Sequence, residues 1–228
     1  MLELRIAGRD FGQPVLGEIF TTIERGDRIC LLGPSGIGKT TLLNAIAGLD
    51  KTMPAEAVYG RDGIRVGYLF QEHRLLPWRS LRANLQLVGA TAEEADEHLA
   101  SVGLESYGCY LPDQLSLGMA RRAALARCLA VKPDLLLLDE PFASLDPVMA
   151  GELKVLVAGI LDMNPGMAMI CVTHDGRDAE VLANRLWYLD GKPARLQCDD
   201  DVVAGSGGID GLLGQLRRTD WLSPDSVE

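Results

Sequence analysis

Three stretches of the chain contain unbroken runs of apolar residues. They are RICLLG (28–33), DLLLLDE (134–140) and MAMICVTHD (167–175). A strand that is covered on both faces of a sheet has such a run, whereas a half-exposed strand alternates apolar and polar residues. After the first run, KTTLLNAIAG (39–48) predicts a helix that ends at Gly48. Buried strands separated by helical segments favour an α/β fold with parallel strands at the centre of its sheet.

The middle of the chain has the periodicity of helices. Residues 91–104 (TAEEADEHLASVGL) begin with Thr91 and Glu94, which form a capping-box pair, and their apolar positions fall at helical spacing. In QLSLGMARR, Ser116 is a good N-cap for another helix, because its hydroxyl can accept from an unpaired N–H of the first turn. We therefore predict that residues 72 to about 131 are mostly helical and are inserted between strands.

The composition changes after residue 196. The segment QCDDDVVAGSGG is acidic and rich in glycine, which is typical of a linker. Beyond it, four apolar residues have the spacing of one helical face: Ile209, Leu212, Leu213 and Leu216. The sequence thus predicts one domain over residues 1–196, then a linker and a short tail helix over residues 197–228. That helix is either a docking or dimer element or a frayed end.

Charge and cysteine content exclude several classes of protein. The formal net charge of −10 argues against non-specific binding to nucleic acid or anionic lipid, since both require a positive field. No apolar run approaches the ~20 residues of a membrane-spanning helix, and the charged start MLELRIAGRD is not that of a signal peptide. The five cysteines form no CxxC pair and predict buried free thiols in a reducing cytoplasm, with zinc ligation or redox catalysis as the alternatives.

A phosphate-binding loop is predicted between the first apolar strand and the helix after it. GPSGIGKTT fits the pattern G-x-x-x-x-G-K-[ST], in which backbone N–H groups, the helix N-terminus and a lysine surround phosphate groups. Its candidate nucleotide-binding residues are Gly33, Pro34, Ser35, Gly36, Ile37, Gly38, Lys39, Thr40 and Thr41. The hydroxyl of Thr40 is also a candidate ligand for Mg²⁺.

A second half of such a site is predicted at the end of the strand in DLLLLDE. Acidic residues at the carboxyl end of a strand face the crevice in which α/β sheets bind ligands. Asp139 is expected to hold Mg²⁺ through a water molecule. Glu140 points elsewhere and is expected to accept a proton from an attacking water. A solvated acid at the start of a loop is the alternative for Glu140.

Five motifs together resemble one family. GPSGIGKTT, FQEHRLLPWRS, LSLGMARRAALAR, LLLLDEPFASLD and VTHD occur in the order and spacing of ATP-binding cassette (ABC) ATPase subunits. The resemblance covers residues 1 to about 196. It implies a P-loop ATPase core with a mixed, largely parallel sheet, an N-terminal antiparallel β arm and an inserted helical subdomain. It also implies ATP and Mg²⁺ as cofactors, and a dimer of two ATPase subunits that closes on ATP, expected as a homodimer.

In that family the loop at LSLGM binds the γ-phosphate of ATP held by the facing subunit. The resemblance assigns this contact to Ser116 and Gly118. The family pattern is usually Leu-Ser-Gly-Gly-Gln, so Leu117 and Met119 depart from it. Leucine does not readily take a backbone conformation reserved for glycine, and methionine cannot donate a hydrogen bond as glutamine does. The departure therefore bears on the strength of the contact in trans and not on its existence, with a helix cap as the alternative role of Ser116.

The resemblance assigns four further residues. Gln71 matches the glutamine that contacts Mg²⁺ and the attacking water, and His174 matches the histidine that contacts the γ-phosphate. Asp146 matches the loop that crosses the dimer interface, and Phe11 matches the aromatic residue that stacks on adenine. The alternative for Gln71 is a surface glutamine, that for His174 is a structural histidine, and that for Phe11 is a core phenylalanine. For Asp146 the alternative is the N-cap of a helix, which is compatible with its role at the dimer interface.

A transporter of this family requires a separate membrane permease. LLPWRS most resembles subunits of nitrate, sulfonate, taurine and thiamine-precursor importers, and implies a solute-binding protein as a further partner. Leu75, Leu76 and Trp78 are candidates for a groove that receives a permease helix, with core packing as the alternative. We expect the chain at the cytoplasmic face of the inner or plasma membrane. The alternatives are an exporter, a cell-division or lipoprotein-release cassette, and a structural cassette with weak turnover. The acidic balance disfavours a DNA clamp.

Overall fold

The computed structural model describes residues 2–6, 8–10, 14–51 and 58–202. Phe11 and the predicted tail helix lie outside these residues. The strands are β1 (Leu2–Ile6), β2 (Arg9–Asp10), β3 (Pro14–Leu16), β4 (Ile19–Ile23), β5 (Arg28–Leu32), β6 (Val58–Tyr59), β7 (Val66–Leu69), β8 (Leu135–Asp139), β9 (Ala168–Val172), β10 (Arg185–Asp190) and β11 (Arg195–Asp201). The helices are α1 (Lys39–Ala47), α2 (Leu81–Gln86), α3 (Ala92–Ser101), α4 (Leu117–Ala130), α5 (Pro147–Met163) and α6 (Gly176–Leu182), with a 3₁₀ turn at Pro112–Gln114.

The central sheet has six strands in the order β11-β10-β5-β9-β8-β7. The five strands from β10 to β7 are parallel to their neighbours, and β11 runs antiparallel to β10. The three apolar runs form β5, β8 and β9, and every residue of β8 and β9 is buried. This confirms the predicted mixed, largely parallel sheet, because only strands covered on both faces tolerate such continuous apolar runs.

The N-terminal part forms a separate antiparallel arm, as predicted. Its three strands lie in the order β4-β1-β6, and β1 pairs with β4 from Leu2↔Ile23 to Ile6↔Ile19. Along β1 the residues at positions 2, 4 and 6 are buried and those between them are not. This alternation is the period of a strand with one covered face, so the arm packs one side on the core that contains α1.

The helices α2, α3 and α4 with the 3₁₀ turn lie between β7 and β8, which pair directly in the sheet. This confirms the inserted helical subdomain. The capping box of α3 is present, since Glu94 N donates to Thr91 Oγ1 at 3.1 Å and Thr91 N donates to Glu94 Oε2 at 2.9 Å. The subdomain has its own buried side chains, including Leu99 and Leu125, and they join the core cluster on one side of the sheet.

The predicted linker is wrong for residues 197–201, which belong to β11 and pair with β10. The acidic run fits a strand because Asp199 is compensated. Its carboxylate accepts from Arg185 Nε at 2.6 Å and from Trp187 Nε1 at 2.8 Å. The composition of the segment alone does not show that Arg185 and Trp187 pair with Asp199, so it did not indicate a strand.

The predicted burial of the thiols is wrong for one of the five. All five cysteines are free, and four are buried, but Cys109 is exposed. It lies in the turns that follow α3. Within the described ranges, no helix is long and apolar enough to cross a bilayer.

The side chain of Arg185 ties β10 to the arm and to β11. It donates to both oxygens of Asp199, to Asp27 Oδ2 at 2.8 Å and to the carbonyl of Thr22 at 2.8 Å. The side chains of Arg185, Asp27 and Asp199 are only 16%, 19% and 25% exposed. Removing one partner of such a pair leaves the other charges desolvated and unpaired.

We expect Arg185→Met to lower the free energy of unfolding by about 3 kcal/mol, because two partly buried carboxylates lose their cation. Urea denaturation at neutral pH measures the change. Arg5→Met is the control, since the Arg5–Glu3 pair is exposed and worth less than about 1 kcal/mol. Equal losses in the two variants would contradict the role of Arg185.

Candidate nucleotide-binding and catalytic site

The phosphate-binding loop lies between β5 and α1, as predicted. Gly33 has φ 151° and a Cβ there would lie 2.2 Å from the carbonyl oxygen of Leu189, so only glycine fits. Gly38 is the N-cap of α1 with φ 113° and has no side chain to cap the helix. The first N–H groups of α1 are therefore available to an anion, which the helix dipole also favours.

Lys39 is held within this loop. Its Nζ donates to the carbonyl of Gly33 at 2.8 Å and to that of Pro34 at 2.9 Å, and the residue is 6% exposed. Burial lowers the pKa of the Lys39 ammonium, while the charges of Glu140 and Asp139 act in the opposite direction. The loop thus holds a partly desolvated cation in place, as a site for polyphosphate requires.

Thr40 and Asp139 meet where the predicted metal site lies. Thr40 Oγ1 donates to Asp139 Oδ1 at 3.2 Å, although 99 positions separate them along the chain. Asp139 is 3% exposed, and burial raises the pKa of its carboxyl; Glu140 adds to this, while Thr40 and Lys39 oppose it. Oxygen ligands of this kind fit Mg²⁺, which is usually bound by few protein groups together with substrate phosphates.

Glu140, Gln71 and His174 line one open cleft of about 880 Å³. The structure therefore brings together the three residues for which catalytic roles are predicted. Glu140 has φ 47°, an uncommon value for a residue other than glycine. Its N–H donates to the carbonyl of Val172 at 3.1 Å, which ties the end of β8 to the end of β9. Backbone strain held by its surroundings is a frequent property of functional sites.

Ser116 and Gly118 do not line that cleft. They line a separate pocket of about 190 Å³ between α4 and α5, together with Tyr107 and Met149. Ser116 is the N-cap of α4, and its Oγ accepts from Met119 N at 3.3 Å. A Cβ on Gly118 would lie 3.1 Å from the sulfur of Met149, a close contact with a flexible side chain that is 40% exposed.

Leu117, one of the two departures from the family motif, lies at the start of α4. Leu117 is the first residue of α4 and is 46% exposed, so its backbone is helical and needs no conformation reserved for glycine. The expected conflict at Leu117 is absent. Asp146 is the N-cap of α5, and its Oδ1 accepts from Val148 N and Met149 N, each at 3.0 Å. Ser116 and Asp146 therefore both act as helix caps, which leaves a further contact in trans open to each.

Two arginines that the sequence analysis missed hold the segment around Gln71. Arg121 donates to the carbonyl of Phe70 at 3.0 Å, and Arg127 donates to the carbonyls of His73 and Arg74 at 3.0 and 2.7 Å. Arg121 is only 4% exposed, and burial lowers the pKa of its guanidinium. In the sequence, the only indication of this role was the presence of arginines in a helix that otherwise consists largely of alanine and leucine. Through them, α4 and the segment that carries Gln71 are connected.

Comparison with known proteins identifies the family. The sequence model described as "ABC transporter" matches residues 16–143. The chain belongs to the ABC transporter family. It is 40% identical over 213 residues to the aliphatic sulfonates import ATP-binding protein SsuB 2 of Burkholderia cenocepacia, a match that covers 89% of this chain and 77% of the relative. It is 36% identical over 217 residues to the taurine import ATP-binding protein TauB of Pelagibacter ubique, with 90% and 82% covered.

Solved structures of ABC cassettes have the same fold. The dimeric structure of MJ0796, a bacterial ABC transporter cassette, superimposes with a TM-score of 0.77 at 26% identity, and covers 90% of this chain and 100% of that one. A dimeric post-hydrolysis state of MJ0796 bound to ADP and Pi has a TM-score of 0.76 at 27% identity. These matches confirm the predicted family and fold. The chain is the ATP-binding and ATP-hydrolysing cassette of an ABC transporter.

Asp139 is buried at a cost in stability, and it is also the residue predicted to hold Mg²⁺. Its carboxyl has a raised pKa in the folded state, so the folded state binds the proton more tightly and loses stability as pH rises through that pKa. We expect Asp139→Asn to make the nucleotide-free cassette more resistant to urea at pH 8, with a difference that shrinks as the pH is lowered. We also expect the ATPase rate to fall at least about tenfold, because a bound metal contributes several kcal/mol.

Asp134, at the other end of β8, is the matched control. The N–H of Arg65 donates to its carboxylate at 3.0 Å, and this hydrogen bond lowers the pKa of the carboxyl. Asp134→Asn should therefore reduce stability at pH 8, the opposite sign to Asp139→Asn. Urea midpoints for both variants between pH 4 and 8 test the pair. Destabilisation of both at pH 8 would contradict the analysis of Asp139.

Proposed function

We propose that this cassette powers the import of a small organosulfonate, and that it does so as one of two copies bound to membrane permease subunits. The observation that carries the proposal is its relation to proteins named for aliphatic sulfonate and taurine import, over about nine-tenths of its length. The motif LLPWRS in the segment after Gln71 points to the same group. On this proposal the chain lies at the cytoplasmic face of the membrane, and a solute-binding protein delivers the sulfonate.

The proposed hydrolysis depends on positioning and charge. The N–H groups at the start of α1 and the ammonium of Lys39 hold the phosphates, and Thr40 and Asp139 would hold Mg²⁺. That ion, when bound, neutralises charge on the phosphate oxygens. Glu140 orients a water and accepts its proton as the water oxygen bonds to the γ-phosphorus and the bond to ADP breaks.

His174 and Gln71 complete the cleft in this proposal. Both are exposed to solvent and line the same cleft as Glu140. His174 is proposed to hold an oxygen of the γ-phosphate, and Gln71 to contact the metal and the attacking water. Arg121 then places Gln71 by fixing the carbonyl of the residue before it.

A second copy of the chain is proposed to supply Ser116, Gly118 and Asp146. Two features support this. The pocket that contains Ser116 is separate from the cleft of Glu140, and the related cassette of known structure is a dimer. The N-terminus of α4, capped by Ser116, would then face the γ-phosphate bound by the other copy.

The permease is proposed to dock on the segment between Gln71 and α2. Leu75 is 4% exposed and packs in the core, so the alternative of core packing applies to it. Trp78 is 71% exposed and is the side chain in this segment best placed to bury apolar area against a partner. Exposed tryptophan is a frequent anchor in protein interfaces.

We expect Glu140→Gln to trap the closed dimer, because ATP binds but its γ-phosphate is not released. With Mg-ATP the mass in solution should double relative to the nucleotide-free variant. Adding Ser116→Arg should abolish the shift by blocking the trans contact.

If ATP binds without any dimer, Leu117→Gly with Met119→Gln is the next variant. Rescue would assign the defect to the altered motif, and failure would contradict a dimer formed by the cassette alone.

Reconstitution into lipid vesicles with permease subunits of a sulfonate importer tests the direction and the solute. An aliphatic sulfonate and its binding protein should stimulate ATP hydrolysis by at least about tenfold, in the manner of an allosteric coupling of 1–3 kcal/mol. Stimulation by an exported compound in the absence of a binding protein would contradict the importer.

Trp78→Ala should reduce the amount of cassette that co-purifies with the permease. Phe20→Ala, which alters an aromatic residue 64% exposed on the arm, should not.

A further inference from the structure

A buried group of polar side chains lies directly beside His174. Thr173 and Asp178 are 4% and 3% exposed, and the side chain of Lys154 is 19% exposed. The Thr173 hydroxyl donates to Asp178 Oδ2 at 2.5 Å, and Lys154 Nζ lies 2.5 Å from Asp178 Oδ1. Both oxygens of one buried carboxylate are therefore engaged, one by a hydroxyl and one by an ammonium.

This group holds the backbone on both sides of His174. Thr173 precedes the histidine, and its N–H donates to the carbonyl of Leu31 at 3.3 Å. The same Thr173 hydroxyl accepts from the N–H of Asp175, the residue after the histidine, at 3.1 Å. The loop Thr173-His174-Asp175 is thus closed around one hydroxyl, and the direction of that hydroxyl is set by Asp178.

Lys154 connects this loop to the loop that follows Glu140. It lies on α5, whose N-cap is Asp146. Its ammonium is 2.5 Å from the carboxylate of Asp178 and 5.4 Å from the ring centre of Phe142, which lies in the loop just after Glu140. Lys154 also lines the cleft that contains Glu140 and His174. Lys154 therefore lies against the loop after Glu140 and is connected to the loop of His174 through Asp178, which lies in α6 and accepts from Thr173.

The ammonium of Lys154 compensates the charge of the Asp178 carboxylate, whose side chain is only 4% exposed. A buried carboxylate that loses its cation is strongly disfavoured, so its side chain is expected to move toward water. Such a movement removes the partner of the Thr173 hydroxyl, and with it a constraint on the path of the backbone around His174. A displacement of about 1 Å in a catalytic group can reduce a rate by about 10².

We propose that Lys154 and Asp178 are positioning residues for ATP hydrolysis, which fix the His174 loop relative to the loop of Glu140 and to the helix that begins at Asp146. This inference rests on the proposed role of His174. It assigns to α5 a function beyond packing, because a movement of Asp146 at a dimer interface would reach His174 through Lys154.

The test compares Lys154→Met and Lys154→Arg in the full chain with Arg185→Met. Arg185 is the matched control, since it also pairs with partly buried carboxylates but lies away from the cleft. We expect Lys154→Met to lower kcat about 10–100-fold with the KM for ATP within about twofold, as displacement of a catalytic group predicts. Lys154→Arg should restore most of kcat. Arg185→Met should lower the thermal midpoint at least as much and leave kcat of the folded protein within about twofold.

A second measurement does not require turnover. Deuterium uptake at amides 173–178 should rise in Lys154→Met, at a temperature equally far below the midpoint of each protein. Uptake at residues 28–32 should stay unchanged. If uptake at 173–178 is unaltered, or if kcat falls equally in Lys154→Met and Arg185→Met, Lys154 is a structural residue only and the inference is overturned.

The background of His174→Ala separates this inference from the proposed function. If Lys154 acts through His174, Lys154→Met adds less than about twofold to the loss in that background, because the two changes remove one interaction. A full additional loss would overturn the inference while His174 keeps its role. If His174→Ala alone retains full kcat, the proposed role of His174 fails, and with it the effect assigned to Lys154.

Discussion

The parallel pairing of β5, β7, β8 and β9 is the constraint on which the site depends. Parallel strands end at the same edge of a sheet, so the residues that follow them are brought together whatever their separation in the chain. The phosphate-binding loop follows β5, Gln71 follows β7, Glu140 follows β8 and His174 follows β9. The strands β5, β8 and β9 are buried along almost their whole length, and β7 pairs with β8 from Val66↔Leu135 to Leu69↔Leu138. This pairing fixes where each of these groups lies along the edge of the sheet.

At that edge the molecule holds charges that are unfavourable in the absence of a ligand. Lys39 and Asp139 are almost fully buried. Burial lowers the pKa of the Lys39 ammonium and raises the pKa of the Asp139 carboxyl, so it favours the neutral form of each. Glu140 is held at a positive φ. A low local dielectric strengthens the interaction of such groups with a polyphosphate, because they need little reorganisation when it binds. On the proposed function, the binding of ATP therefore relieves the unfavourable free energy of these buried charges in the free cassette.

The helical subdomain and helix α5 are connected to this edge by a small number of charged side chains. Arg121 and Arg127 of α4 hold the carbonyls on both sides of Gln71, and Lys154 of α5 is paired with Asp178 next to His174. Ser116 and Asp146, the N-caps of the same two helices, are the residues proposed to contact a second copy. A change at either helix start therefore has a physical path to the cleft, through these hydrogen bonds and this ion pair.

The sequence by itself determined the local elements and the identity of the chemical groups. Apolar runs, the capping box of Thr91 and the glycines of the phosphate loop act within a few residues, so β5, β8, β9, α1 and α3 were predictable. Local motifs also supplied Lys39, Asp139 and Glu140 as candidate residues. Tertiary structure decided which groups meet. The Thr40–Asp139 contact, the pairing of Asp199 with Arg185 that makes β11 a strand, and the Lys154–Asp178 pair join residues far apart in the chain. These partners meet only once the sheet and the helices packed on it have formed, because burial and contacts between distant residues are properties of the folded chain.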